Sequence, residues 1–197
     1  MRLGIYGGSF DPVHNGHLAL ARACQQQTAL DEVWFTPTAV QPLKQNGPHA
    51  TDAQRLEMLQ LAIAPEPSWR VFKREIERGG LSYTVDTLRQ LAAELPDAVL
   101  FFLLGADAVQ DVPHWREPRE IFRLATPLVV RRAGQPEPDM AALRMACAEN
   151  KQPRLIEMPA VDASSTEIRG RAAAGEPFEN LLPASVAAFI AAHGLYR

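Results

Sequence analysis

The run Leu3-Gly4-Ile5-Tyr6-Gly7-Gly8-Ser9-Phe10-Asp11-Pro12-Val13-His14-Asn15-Gly16-His17 decides how the rest of the chain is read. Leu3 to Tyr6 is a short apolar stretch with a β-branched and an aromatic residue, the composition of a buried strand. Gly7 and Gly8 permit close backbone approach and unusual dihedrals. Beyond them Leu18, Ala21 and Cys24 recur at the spacing of one helix face. A strand, a glycine-bearing turn and a helix in that order open a doubly wound sheet. In such sheets ligands bind beyond the carboxyl ends of the strands, and the first turn brings a phosphate to a helix N-terminus.

Working outward, apolar runs of the same kind recur at Val33 to Thr36, Arg70 to Phe72, Val99 to Leu104, Leu128 to Val130 and Leu155 to Met158. Helical faces lie between most of them: Leu56, Leu59 and Ile63, then Val85, Leu88, Leu91 and Leu95. Thr51 stands three before Gln54 and Ser164 three before Glu167, the capping-box spacing. A last helix begins after Pro183, carries Val186, Phe189 and Ile190 on one face and stops at Gly194, while Ala133 to Pro138 reads as a surface loop. Parallel neighbours need crossover connections, so this alternation predicts an α/β fold. The expected architecture is a single doubly wound (Rossmann-like) domain over 1–197, with a mainly parallel sheet and helices on both faces. A helical portion at about 164–197 packs on it.

Composition narrows the class. With 197 residues, 47% hydrophobic and 22% charged, the chain can bury one substantial core. A net charge of -3 argues against a strongly basic nucleic-acid footprint and leaves room for a local phosphate pocket. Two cysteines, Cys24 and Cys147, each fall in an apolar helical pattern and read as buried small hydrophobes in a reducing compartment. No secretory signal pattern opens the sequence and no apolar run is of membrane-spanning length, so a cytoplasmic protein without membrane or nucleic-acid partners is expected.

Gly16 beside the helix start leaves His14 and His17 three apart and able to converge on one anion. Displacement at phosphorus needs positioning and charge stabilisation and no covalent enzyme intermediate, and two imidazoles donating to ATP phosphates suit it. Read singly, each histidine also fits a turn or a helix cap. A zinc site would lack a nearby cysteine or a helical His-Glu-x-x-His, so no protein-bound metal is expected. The second segment, Ser164-Ser165-Thr166-Glu167-Ile168-Arg169, offers hydroxyls, helix N–H groups and a guanidinium to an anion, or else is an ordinary cap with a surface arginine.

The string GGSFDPVHNGH resembles the signature of the His-x-Gly-His nucleotidyltransferase superfamily, and Ser164, Thr166 and Arg169 match its Ser-x-Thr-x-x-Arg motif. Ser82-Tyr83-Thr84, Gly105-Ala106-Asp107, Pro113-His114-Trp115 and the final Gly194-Leu195-Tyr196-Arg197 are similar, in this order, to bacterial nicotinate mononucleotide adenylyltransferases. The resemblance implies transfer of the adenylyl group of ATP to nicotinate mononucleotide, with Mg²⁺ accompanying ATP. It assigns catalysis to His14, His17, Lys44 and Arg169. ATP binding falls to Gly7, Gly8, Ser9, Phe10, His14, Gly16, His17, Gly105, Asp107, Ser164, Thr166 and Arg169. The acceptor falls to Ser9, Lys44, Tyr83, Thr84, Trp115 and Arg132. On composition alone Trp115 reads as a core or partly exposed aromatic before a ligand platform, and Lys44 also fits a solvated loop lysine. Leu43 departs from the family's Pro-Pro-His, and Ala163 is smaller than the family's usual aliphatic residue. The pair Arg131 and Arg132 fits either ligand contact or a surface ion pair. A homo-oligomer is compatible with the resemblance. The rival readings are a related adenylyltransferase using nicotinamide mononucleotide or phosphopantetheine, and a nucleotide-binding sensor without turnover.

Overall fold

The computed structural model describes residues 1–43 and 47–197. Six strands form one sheet: β1 (Arg2–Gly8), β2 (Glu32–Pro37), β3 (Trp69–Val71), β4 (Val99–Gly105), β5 (Ala125–Arg132) and β6 (Arg154–Met158). Their order is β3-β2-β1-β4-β5-β6 and every pairing is parallel. The chain winds outward from β1 through β2 to β3, then crosses back to β4 on the other side. The connections leaving the carboxyl ends of the paired strands β1 and β4 therefore run to opposite faces, α1 to one core and the segment with Val109 and Val112 to the other, which opens the crevice where such sheets bind ligands.

Both faces of the sheet are covered, because the strands alternate between two cores. In β4, Phe101 and Leu103 point into one cluster and Leu100, Phe102 and Leu104 into the other; in β1, Tyr6 opposes Leu3 and Ile5. The first cluster takes in α1 (Asn15–Thr28), α2 (Asp52–Ile63), α7 (Ser165–Ala174) and α8 (Ala184–His193). The second takes in α4 (Thr84–Glu94), α5 (Pro118–Leu124) and α6 (Ala141–Ala146). A short α3 (Arg74–Arg78) precedes α4, and a 3-10 helix runs over Ala106–His114 directly after β4. Each fully buried Leu or Phe in these layers contributes roughly 1.5–3 kcal/mol relative to exposure. No helix of the described residues is long and apolar enough to cross a membrane.

The expected caps form. Thr51 and Gln54 satisfy each other's backbone N–H groups at the start of α2, and Ser164 accepts from Glu167 N at 3.1 Å at the start of α7. Gly175 and Gly194 end α7 and α8 in the left-handed region, which glycine occupies without a Cβ clash.

Two expectations need correction. The buried face of α2 runs through Arg55, Met58, Leu59, Ala62 and Ile63, with Leu56 half-buried. Periodicity alone rejects Arg55 as a core position. Its guanidinium is fully buried because it donates to the Ser9 carbonyl at 2.7 Å and pairs with Asp52 at 2.6 Å. Cys147 lies beyond the last turn of α6 and is half-buried, whereas Cys24 sits inside α1 in the core. Burial pushes the Cys147 thiol up to about 11 and the Cys24 thiol higher still, so both stay protonated near neutrality.

Candidate active site

Two adjoining cavities occupy the crevice and share Gln41 on their walls. One, of about 390 Å³, is lined by Ser9, Phe10, Asp11, His17, Thr166 and Arg169 among others. The other, of about 530 Å³, lies over Gly7, Gly8, Tyr83, Thr84, Gly105 and Trp115.

The smaller cavity is held by a short, heavily bonded loop between β1 and α1. Phe10 has φ of 47°, a left-handed conformation costing on the order of 1 kcal/mol or more for a bulky residue. Its buried ring holds it there, packing edge-on against Tyr6 at 5.4 Å and His17 at 5.0 Å. With that ring turned into the core, Ser9 and Asp11 on either side of it line the cavity. His14 ends the loop in an extended conformation as the N-cap of α1, and its N–H donates to His17 Nδ1 at 3.2 Å. Accepting at Nδ1 leaves Nε2 of a neutral His17 as the proton-bearing nitrogen. The two imidazoles stack with centroids 3.7 Å apart. Gly16 makes this stack possible, since a Cβ there would lie 3.0 Å from the His14 ring.

His14 is buried behind His17, and its Nδ1 has no hydrogen-bond partner among the described residues. Desolvation, and then the positive charge of Arg132, push its pKa down to about 4. It is therefore a neutral imidazole near pH 7.

From 158 positions further along, Arg169 Nη1 donates to the Asp11 carbonyl at 2.7 Å, and Ser165 Oγ donates to the Pro12 carbonyl at 2.9 Å. The start of α7 is thereby fastened to the first turn, and imidazole and guanidinium share one cavity. Thr166 accepts from Arg169 Nη2 at 3.4 Å. Asp11 is buried within this group. Burial would raise its pKa, but N–H bonds from His49 and Ala50, the Tyr196 hydroxyl and the charge of Arg169 outweigh that and hold it below the usual value.

The larger cavity is aromatic and mostly uncharged. Trp115 meets Phe102 edge-on at 5.8 Å and lies 6.1 Å from Phe122, so its half-buried ring is both a core contact and a cavity wall. Arg116 covers the Tyr83 ring at 4.7 Å. Thr84 is the first residue of α4, where helix N–H groups await an acceptor. Beneath it, Glu75 accepts from the Thr87 hydroxyl at 2.5 Å, and Ser82 Oγ accepts from Ala39 N at 2.9 Å. Glu75 Oε2 and Thr36 Oγ1 are buried without hydrogen-bond partners among the described residues. Burial raises the Glu75 pKa, against the lowering effect of the Thr87 and Ser82 hydroxyls and Arg78.

Other residues singled out from the sequence stand further back. Ser164 is exposed and spends its side chain on capping α7. Asp107 is exposed at the start of the 3-10 helix and is not part of either cavity wall, although Gly105 and Ala108 are. Arg132 is exposed and acts on His14 through its charge, while Arg131 forms surface ion pairs with Glu157 at 3.4 Å and Glu137 at 3.7 Å. Lys44 lies outside the described residues. Nothing local in the sequence marks Arg55, Glu75 or Thr36 as part of this site. Lys73-Arg74-Glu75-Ile76-Glu77-Arg78 reads as a solvated charged run, and no spacing rule pairs Glu75 with a threonine twelve positions on.

A parallel sheet whose first turn joins imidazole and guanidinium beside a second, aromatic cavity defines a nucleotidyltransferase of the doubly wound class. The comparisons agree: the family model described as Cytidylyltransferase-like matches residues 5–171. A probable nicotinate-nucleotide adenylyltransferase of Chromobacterium violaceum is 42% identical, the alignment covering 100% of this chain and 99% of that protein. The nicotinate-nucleotide adenylyltransferase of Bacillus subtilis is 38% identical over 100% of this chain and 98% of its own length. The chain belongs to the nicotinate-nucleotide adenylyltransferase family within the cytidylyltransferase-like group. Among solved structures, Plasmodium falciparum nicotinic acid mononucleotide adenylyltransferase complexed with NaAD superposes with a TM-score of 0.78 at 20% identity, over 99% of this chain and 97% of that one, a likeness of fold.

Proposed function

We propose that this protein transfers the adenylyl group of ATP to nicotinate mononucleotide, releasing pyrophosphate and forming nicotinate adenine dinucleotide. One observation carries the reading: His17 and Arg169 line one cavity that adjoins an aromatic cavity across Gln41. A triphosphate in the first and a pyridine nucleotide in the second would meet at the first turn.

A 5′-phosphate oxygen of the acceptor attacks the α-phosphorus in line; the bond to the bridging oxygen breaks and pyrophosphate leaves. His14 and His17, with Lys44 and Arg169, stabilise the charge developing on the transferred and departing groups. Gly7, Gly8, Ser9, Phe10 and Gly16 shape the turn against ATP; by the family pattern Gly105 and Asp107 belong to its nucleoside, and Thr166 and Arg169 to its outer phosphates, with Ser164 capping the helix that carries them. Ser9, Lys44, Tyr83, Thr84, Trp115 and Arg132 serve the acceptor, Trp115 by stacking on the pyridine ring.

Mg²⁺ is read as a companion of the ATP phosphates, the usual setting for that ion with a nucleoside triphosphate. Bound there it would supply charge neutralisation on the pyrophosphate. Residues 1–197 act as one nucleotidyltransferase domain with 164–197 packed on it as a helical portion, working in the cytoplasm.

The test is pyrophosphate release measured side by side with nicotinate mononucleotide, nicotinamide mononucleotide and phosphopantetheine. A marked preference for the first is expected. Preference for phosphopantetheine would overturn the acceptor, and ATP binding without product from any acceptor would return the protein to a sensor.

A further inference from the structure

The segment after α8 reaches the phosphate cavity without contributing any group that the proposed mechanism uses. Tyr196, half-buried with φ of 66°, donates its hydroxyl to Asp11 Oδ1 at 2.8 Å, 185 positions away in sequence. The same carboxylate accepts Ala50 N at 3.0 Å on Oδ1 and His49 N at 2.6 Å on Oδ2. The His49 imidazole stands 3.4 Å from Oδ2. Asp11 therefore joins the first turn, the loop before α2 and the segment after α8, while its own carbonyl receives Arg169.

A carboxylate on the wall of a cavity built for phosphates is a hazard, because it repels the ligand and competes for the nearest cation. Here its lone pairs are directed to two backbone N–H groups and a phenol, so the guanidinium meets the Asp11 carbonyl and not its charge. Removing the phenol would leave Oδ1 with the longer of the two N–H bonds and free the carboxylate to turn toward Arg169, whose charge already acts on it.

We propose that Tyr196 is a positioning residue for the triphosphate: by engaging the Asp11 carboxylate it keeps Arg169 available to the phosphates of ATP. The inference rests on the reading of this cavity as the ATP site.

The experiment compares the parent with Tyr196→Phe, Asp11→Asn and the double variant, measuring KM for ATP, KM for the acceptor and kcat. A hydrogen bond to a charged group is worth roughly tenfold or more, and part of that should reach the ligand. Y196F should raise KM for ATP about five- to tenfold and lower kcat, with little change in KM for the acceptor. In the D11N background, where no charge competes for Arg169, adding Y196F should raise KM for ATP no further. Equal rises in both KM values, or a loss of thermal stability with both unchanged, would overturn the proposal. So would a full additive effect in the double variant. A parent protein that does not turn over ATP refutes the reading of the site instead, which separates the two failures.

Should Y196F fail to fold, hydrogen exchange on the parent decides. Inorganic tripolyphosphate should slow exchange in peptides spanning 47–50 and 194–197, and no slowing in either would count against the proposal.

Discussion

On one side of the crevice, residues of the first turn (9–17) and of the start of α7 (165–169) make a cavity together with Gln41 and residues 47–49, with backbone carbonyls and N–H groups holding Asp11 and Arg169. On the other, a cavity of about 530 Å³ is assembled from the ends of β1, β2 and β4, the start of α4 and the 3-10 helix, with Trp115 and Tyr83 held by ring contacts. The phosphate side presents fixed dipoles to a ligand part that is the same in every nucleoside triphosphate. The acceptor side presents shape to a part that varies. This division predicts that substitutions on the first side will depress kcat and that those on the second will chiefly move KM for the acceptor.

The largest expected break comes from His17→Ala. A transition-state donor in a water-poor site is worth about two to three powers of ten in kcat. The loss should appear in single-turnover rates, with thermal stability near that of the parent because His17 is only partly buried. Turnover within a few-fold of the parent would erase the distinction between the two sides.

The next effect is on stability and concerns His14. Its folded pKa of about 4 lies below the ordinary 6.5, so the unfolded chain binds the extra proton first as pH falls. The stabilisation is complete above pH 6.5 and declines toward pH 4, by about 3 kcal/mol in total. Urea melts across that window should show the decline in the parent and a flatter profile in His14→Gln. Glu75, with its raised pKa, contributes in the opposite direction, and Asp11 below its ordinary 3.8, so the difference between parent and variant isolates His14.

The same contrast explains what was legible in the amino-acid sequence. All six strands are marked by apolar runs, and their alternation with helices points to a parallel sheet, whereas the order β3-β2-β1-β4-β5-β6 is visible only in the structure. The phosphate side could be read because loop geometry demands particular residues at neighbouring positions, such as Gly16 against the His14 ring. The buried face of α2 was misread because Arg55 is buried on a partner, the Ser9 carbonyl, 46 positions away. Cys147 was assigned to a helix that stops one residue earlier. Glu75 escaped notice for the same reason as Arg55: its burial depends on Thr87 and on the cavity above it, and a charged residue in a charged run carries no local sign of that.

On the acceptor side, Trp115→Ala should raise KM for the acceptor about tenfold while KM for ATP stays within about twofold, since an aromatic platform contributes stacking and area without charge. Because the ring also packs on Phe102 and Phe122, thermal stability should fall together with acceptor affinity. Trp115→Phe should recover most of the stability and part of the affinity. Equal damage to both KM values would show that the two cavities are mechanically one.

Glu75 gives the smallest effect and the sharpest view of the acceptor side. Its carboxyl lies under a cavity whose proposed cargo itself carries a ring carboxylate, so the two negative charges cannot both be accommodated cheaply. Burial favours the neutral form, which relieves the conflict. As pH rises through the elevated pKa the group ionises, and KM for nicotinate mononucleotide should climb about two- to threefold, a modest effect because only part of a like-charge repulsion survives at an effective dielectric near that of a protein surface. Glu75→Gln keeps an oxygen for the Thr87 hydroxyl and removes the charge, so its KM should be flat across the same pH range. Nicotinamide mononucleotide, with no carboxylate to repel, should show no such rise in the parent. A rise of equal size with both acceptors would place the titration elsewhere and leave Glu75 as a structural tie between α3 and α4.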